Sequence, residues 1–246
     1  MKRSYSIKKG DAILLLDKQE KESVDMILTD PPYSSGGLHK SVTSGSTGRK
    51  YSQIVGDKAL PNFLGDNKDQ WSFYCWCHHW LSYSFEALKD NGSCVVFIDW
   101  RQLTVMMTAL QSAGFTTRGI AVWNKRNARP IPNGMRQTAE FIIWATKGDK
   151  RKSDSPVYLP GVFDISSVSP SKRQHQTQKP DELMDQLVSL CEEGGVVLDP
   201  FSGSGSTGVA ALKSGRQFIG YEMSEMYVDV LKKRLSSASR ALGKHK

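Results

Sequence analysis

Val196-Val-Leu-Asp-Pro-Phe-Ser-Gly-Ser-Gly-Ser-Thr-Gly208 joins a short apolar run, an acidic residue and a glycine-rich turn. Val196–Leu198 has the length and composition of a buried strand, and a helix through Lys213 starts where the glycines end. Gln217-Phe-Ile-Gly220 predicts the next strand, and Met226 to Leu235 a closing helix. Strand, turn, helix and strand in this order form the unit of an α/β fold, which places its ligand at the carboxyl ends of the strands. Gly203, Gly205 and Gly208 satisfy the dinucleotide pattern G-x-G-x-x-G. Glu222 stands at about the 20-residue offset of a ribose-binding carboxylate.

A nicotinamide or flavin enzyme therefore fits the glycine spacing. The acidic strand end argues for a different nucleoside. A dinucleotide site must accept a pyrophosphate, and Asp199 beside it would repel that charge. S-adenosylmethionine has no phosphate and carries a cationic amino group and a sulfonium, which an acidic strand end suits. Glu222 would take the ribose hydroxyls in either case.

Upstream, apolar runs alternate with amphipathic stretches. Val24 to Thr29 predicts a buried strand that ends at Asp30; a helix follows over 71–89. Asn91-Gly92 predicts a turn into the strand Ser93–Ile98, and Gln102 to Ala113 a helix closed by Gly114. Gly119–Trp123 and Glu140–Ala145 predict two strands paired antiparallel, and Asp181 to Cys191 a helix introduced by Lys179-Pro180. The chain reads as one domain over 1–246. Two segments interrupt the rhythm: 34–70, a loop too long for a plain connection, and 147–176, a polar, basic stretch suited to target recognition.

The second motif is Asp30-Pro31-Pro32-Tyr33, at a strand end. Two prolines remove two amide donors and leave carbonyl acceptors, and Tyr33 supplies an aromatic face. That arrangement suits an exocyclic amine on a planar base, whose nitrogen lone pair is delocalised into the ring and poorly nucleophilic. Asp30 and the Pro31 carbonyl can accept the two amine hydrogens and draw the nitrogen toward tetrahedral geometry. Tyr33 would stack on a base swung out of its duplex.

Composition is permissive. A chain of 246 residues, 39% hydrophobic and 24% charged, is ordinary globular protein, and a net charge of +8 with pI ≈ 9.3 favours phosphate-rich partners. Met1-Lys2-Arg3 leads into polar residues and no apolar run is long enough to span a bilayer, so a reduced cytoplasmic protein without membrane contact is expected. Cys75, His78 and His79 can share a helix face, but the surrounding tryptophans and the lack of a distant second ligand pair predict core packing and no metal.

With both motifs in hand, the chain resembles the amino-methylating (N6-adenine/N4-cytosine) DNA methyltransferases, specifically the circularly permuted β class, in which the catalytic half precedes the cofactor half. Gly10-Asp11 resembles the family's cofactor-adenine contact, and Thr177-Gln178-Lys179-Pro180 the segment that helps hold the methionine part. Ser206 replaces a common threonine and Gln176 a common proline. The resemblance implies a Rossmann-like fold, a mixed seven-stranded sheet with helices on both faces, and S-adenosylmethionine as cofactor. It assigns catalysis to Asp30, Pro31, Pro32 and Tyr33. It assigns the cofactor to Asp11, Asp30, Lys179, Asp199, Phe201, Gly203, Ser204, Gly205, Ser206, Thr207 and Glu222. Asp-Pro-Pro-Tyr usually accompanies adenine N6 in this family, with cytosine N4 the nearest alternative and RNA a further one.

Lys125, Arg126, Arg129 and Arg136, lying between two predicted strands, and Lys172 and Arg173 in the later segment are candidate contacts to double-stranded DNA. Lys40 and Arg49 make the 34–70 loop a candidate cover for the flipped base. A second copy of the chain, as a homodimer, and a cognate restriction endonuclease are further candidate partners. A nicotinamide oxidoreductase would leave Asp30-Pro-Pro-Tyr33 without a task, and an idle DNA-binding module would leave both motifs without one.

Overall fold

A computed structural model describes residues 4–34, 68–150, 155–169 and 178–243. The first half runs β1 (Tyr5–Lys9), α1 (Ala12–Leu16), β2 (Val24–Thr29), α2 (Gln70–Ala87), β3 (Leu88–Ile98), α3 (Leu103–Ser112), β4 (Thr116–Asn124) and β5 (Ala139–Thr146). The second runs β6 (Val162–Asp164), α4 (Asp181–Val188), β7 (Val196–Asp199), α5 (Ser206–Lys213), β8 (Gln217–Glu222) and α6 (Glu225–Gly243). All strands join one sheet in the order β1-β8-β7-β2-β3-β5-β4-β6. β5 alone is antiparallel to its neighbours β3 and β4, so β4 points the same way as β2 and β3.

The period of two along each strand sorts side chains to two faces. Met26, Leu28, Val95, Phe97 and Val197 pack under α4, α5 and α6. Val24, Ile27, Cys94, Val96, Ile98 and Leu198 pack on the other face, against Leu16, Phe73, Trp80 and Leu110 of α1, α2 and α3. Strands covered on both faces read as continuous apolar runs, which is why β2, β3 and β7 were visible in the sequence. The result is the expected Rossmann-like α/β architecture, a mixed sheet with helices on both faces.

The sheet has eight strands where the resemblance implies seven. β6 is only three residues long, too short for a pattern, and lies inside the polar 147–176 stretch. It pairs with β4 from Val122↔Val162 to Asn124↔Asp164, and buries Phe163 in the core. Asn91-Gly92 is a turn within a strand rather than before one. Asn91 has φ +62, and pairing with β2 jumps from Val24↔Leu88 to Met26↔Ser93. The last residues of the helix expected over 71–89 thus belong to β3, and Lys89 reaches Asp25 at 2.9 and 3.0 Å.

β2 and β7 are neighbours at the middle of the sheet, and from them the chain moves to opposite sides: β2 to β3, β7 to β8. This is a topological switch point, where a crevice opens beyond the strand ends. Both sequence motifs leave from that edge.

Candidate active site

Asp30 follows β2 directly, and the turn after it is pinned by buried Gln102, whose Nε2 donates to the Ser34 carbonyl at 3.3 Å. The Tyr33 hydroxyl lies against Asp30 and 2.7 Å from Glu140 Oε1 on β5. Lys179 enters from the residue before α4's cap, with its ammonium 2.5 Å from Asp30 Oδ2, 2.9 Å from Glu140 Oε1 and 4.9 Å from the centre of the Phe97 ring. Lys125 sits 3.2 Å from the other Glu140 oxygen. Two carboxylates and two ammonium groups therefore balance around one tyrosine.

Burial dominates these groups, and their neighbours decide the outcome. Burial raises the Asp30 carboxyl above its ordinary value, against the pull of Lys179. Burial also works to raise Glu140, but the ammonium groups of Lys179 and Lys125 outweigh it and hold that carboxyl below the usual range. Burial works to lower Lys179, yet Asp30 and Glu140 keep it firmly protonated. Tyr33 is raised by burial and by the two adjacent negative charges, so it stays a neutral phenol.

The glycine turn builds the second half. Asp199 ends β7, with Oδ1 accepting from Thr29 Oγ1 at 2.7 Å and Phe201 N at 3.1 Å, and Oδ2 from Thr207 Oγ1 at 2.7 Å. Oδ2 keeps one acceptor position for a cationic group. Burial raises the Asp199 carboxyl to about 6. Glu222 ends β8, its two oxygens accepting from Gly203 N at 2.9 Å and Ser224 N at 2.8 Å, and a carboxylate has further acceptor capacity that suits a vicinal diol. Asp11 caps α1, accepting from Ile13 N at 2.9 Å, and Gly10 N bonds the Glu222 carbonyl at 3.1 Å, which brings Asp11 to the same rim. Phe201 packs on Trp76 and Trp80, with ring centres 5.4 and 5.3 Å away. Ser206 Oγ donates to the Lys179 carbonyl at 3.3 Å, tying the halves together, and Arg234 of α6 braces the glycine turn by donating to the Ser204 carbonyl at 2.8 Å. This set of acceptors and an aromatic ring fits S-adenosylmethionine, a cationic amino acid joined to a ribose and a base.

Residues 24–233 match the family model for the N6/N4 DNA methylases, described as DNA methylase. The chain belongs to this amino-methylating DNA methyltransferase family. The methylase is 31% identical to the type II methyltransferase M2.DpnII of Streptococcus pneumoniae over 93% of this chain and 88% of that one. It is equally identical to the type II methyltransferase M2.LlaDCHI of Lactococcus lactis subsp. cremoris, over 94% and 88%. Among solved structures, the M1.HpyAVI–SAM complex superposes with a TM-score of 0.67 at 27% identity, covering 94% of this chain and 98% of that one. The cytosine-N4-specific PvuII DNA methyltransferase superposes with a TM-score of 0.70 at 19% identity over 99% and 95%, a likeness of fold alone.

The DNA candidates divide. Lys125 is committed to Glu140, and Arg126 pairs with Asp164 of β6 at 2.8 Å beside an open cleft of about 500 Å³. Arg129 and Arg136 are exposed on the loop 125–138. Lys40, Arg49, Lys172 and Arg173, and almost all of the 34–70 loop, lie outside the described residues. On the helix face of Cys75, His78 and His79, Cys75 is exposed while His78 Nδ1 lies 3.2 Å from Ser112 Oγ. No helix among the described residues is long and apolar enough to cross a membrane. Sequence reasoning missed Glu140, Gln102 and Thr29. Glu140 was detectable as an acidic residue opening an otherwise apolar strand.

Proposed function

We propose that this methylase transfers a methyl group to adenine N6 of a base flipped out of double-stranded DNA. The carrying observation is the Asp30-Pro31-Pro32-Tyr33 turn, whose carboxylate and phenol lie in a buried cluster of opposite charges at the end of β2. S-adenosylmethionine supplies an electrophilic methyl on sulfur, and the SAM complex of M1.HpyAVI supports its assignment here. Asp199 Oδ2 and the Lys179 segment receive the amino-acid end, Glu222 the ribose, and Asp11 and Phe201 the adenine rim.

Asp30 and the Pro31 carbonyl accept the two hydrogens of the target amine. Their pull localises the nitrogen lone pair, which attacks the methyl in line. The N–C bond forms as the S–C bond breaks, and the surplus amine proton leaves by way of the Asp30 carboxylate. Asp30 can accept only when ionised and released from Lys179, and Glu140 offers Lys179 an alternative anion 2.9 Å away. Tyr33 must rotate from the two carboxylates to stack on the incoming base.

Transfer of labelled methyl groups to unmethylated genomic DNA, followed by nucleoside analysis, tests this reading. Label in N6-methyladenine, lost in Asp30→Ala while cofactor binding persists, is expected. Label in N4-methylcytosine keeps the mechanism and overturns the choice of base.

A further inference from the structure

The loop 125–138 leaves the sheet from the edge that carries Asp30, because β4 points the same way as β2. Its neck is closed twice, by Lys125 N donating to the Thr138 carbonyl at 2.8 Å and by the Lys125 ammonium 3.2 Å from Glu140. Glu140 in turn holds the Tyr33 hydroxyl at 2.7 Å. The loop is therefore anchored on the same side chain that positions the tyrosine of the catalytic turn.

The far part of the loop is stiff. Pro130 and Pro132 fix their own φ angles and restrict the residues before them. Gly134 N closes a turn on the Ile131 carbonyl at 3.2 Å, with Asn133 at φ +51. This rigid turn carries an apolar side chain into solvent, Met135 at 87% exposure, with Ile131 at 44% below it in sequence. Arg129 and Arg136 flank the pair and are themselves exposed. An apolar tip between guanidinium groups matches a nucleic-acid duplex, with apolar base faces inside and phosphates outside.

We propose that Met135 enters the base stack at the position the target base leaves, while Arg129 and Arg136 hold the phosphates beside it. The flexible thioether fills the gap and lowers the cost of keeping the base extruded. This rests on the flipped-base chemistry of the family and not on the choice between adenine and cytosine.

The test compares wild type, Met135→Ala and Met135→Leu on a duplex carrying a site that the wild type methylates, and on the same duplex with the target base mispaired. A mispaired base is cheaper to extrude. Met135→Ala is expected to slow single-turnover transfer on the paired duplex by about 10-fold or more. On the mispaired duplex it should come within about 2-fold of wild type, and Met135→Leu should restore the rate on both. An equal loss on both duplexes assigns Met135 to recognition or binding and overturns the wedge, as does no loss on the paired duplex. The wild-type rate on paired DNA reports separately on the methylation reading.

Discussion

The Tyr33 hydroxyl meets Asp30 and lies 2.7 Å from Glu140 Oε1, so one phenolic proton faces two carboxylates. The phenol can donate to only one of them at a time. Burial raises Asp30 above its ordinary value, while the cations around Glu140 hold that group below its own. In the resting site, then, Asp30 is occupied by Lys179 and Tyr33, and both must yield for it to serve an amine. Glu140 is the group that can take Lys179 away.

Glu140→Gln keeps the shape and removes that alternative anion. Among the described residues, Asp30 is then the one carboxylate within reach of Lys179, and turnover is expected to fall on the order of 10- to 100-fold. Cofactor affinity, measured by calorimetry, should change little. The Glu140 charge contributes to raising Asp30, so its removal lowers the Asp30 titration. The acidic limb of kcat should accordingly move to lower pH in the variant. A limb that stays in place, or a loss confined to cofactor binding, would count against this role.

Much of this arrangement was legible because the informative residues are local. Val24–Thr29 and Val196–Leu198 are buried on both faces and announce themselves as apolar runs, and Asp30 and Asp199 mark where they stop. Glu140 stands out in the sequence only as an acidic residue in an apolar strand; its partners Tyr33 and Lys179 are 107 and 39 residues away, and only the antiparallel pairing of β3 with β5 brings it to them. β6 escaped for the opposite reason. Three residues give no periodicity, and Val162–Asp164 becomes a strand because β4 offers a free edge. Lys125 is a candidate DNA contact by its charge and place between two strands; charge does not reveal that the neck of a loop also folds it against a buried carboxylate.

Gly205 is the turn position least able to accept a side chain. It has φ +83 at the cap of α5, and a Cβ there would fall 2.2 Å from Leu231 Cδ1 of α6. Gly205→Ala should destabilise the protein by about 2–4 kcal/mol through left-handed strain and overpacking. Urea unfolding of Gly205→Ala, Leu231→Ala and the double variant should show a deficit smaller than the sum, since shortening Leu231 admits the methyl. Strict additivity would mean that backbone strain alone accounts for the loss.

Asp199 sets function against stability. Burial holds its carboxyl at about 6 against an ordinary 3.8. The folded protein therefore binds this proton more tightly than the unfolded chain does. Its contribution to stability is full below about pH 4 and is lost as pH rises through about 6, where an ionised carboxylate must stay buried. Asparagine can keep the bonds from Thr29 and Phe201 on its oxygen and donate its amide to Thr207, whose hydroxyl rotates to accept. Asp199→Asn should thus exceed wild type in stability at pH 8, on the order of 1–2 kcal/mol, and the gap should close by about pH 4. The same change removes the anion proposed to face the cofactor's amino group, so affinity for S-adenosylmethionine should fall on the order of 10- to 100-fold. Urea unfolding at both pH values and calorimetric titration with the cofactor measure the two effects separately. A variant less stable than wild type at pH 8 would mean that the Thr29 and Thr207 bonds outweigh the burial of charge.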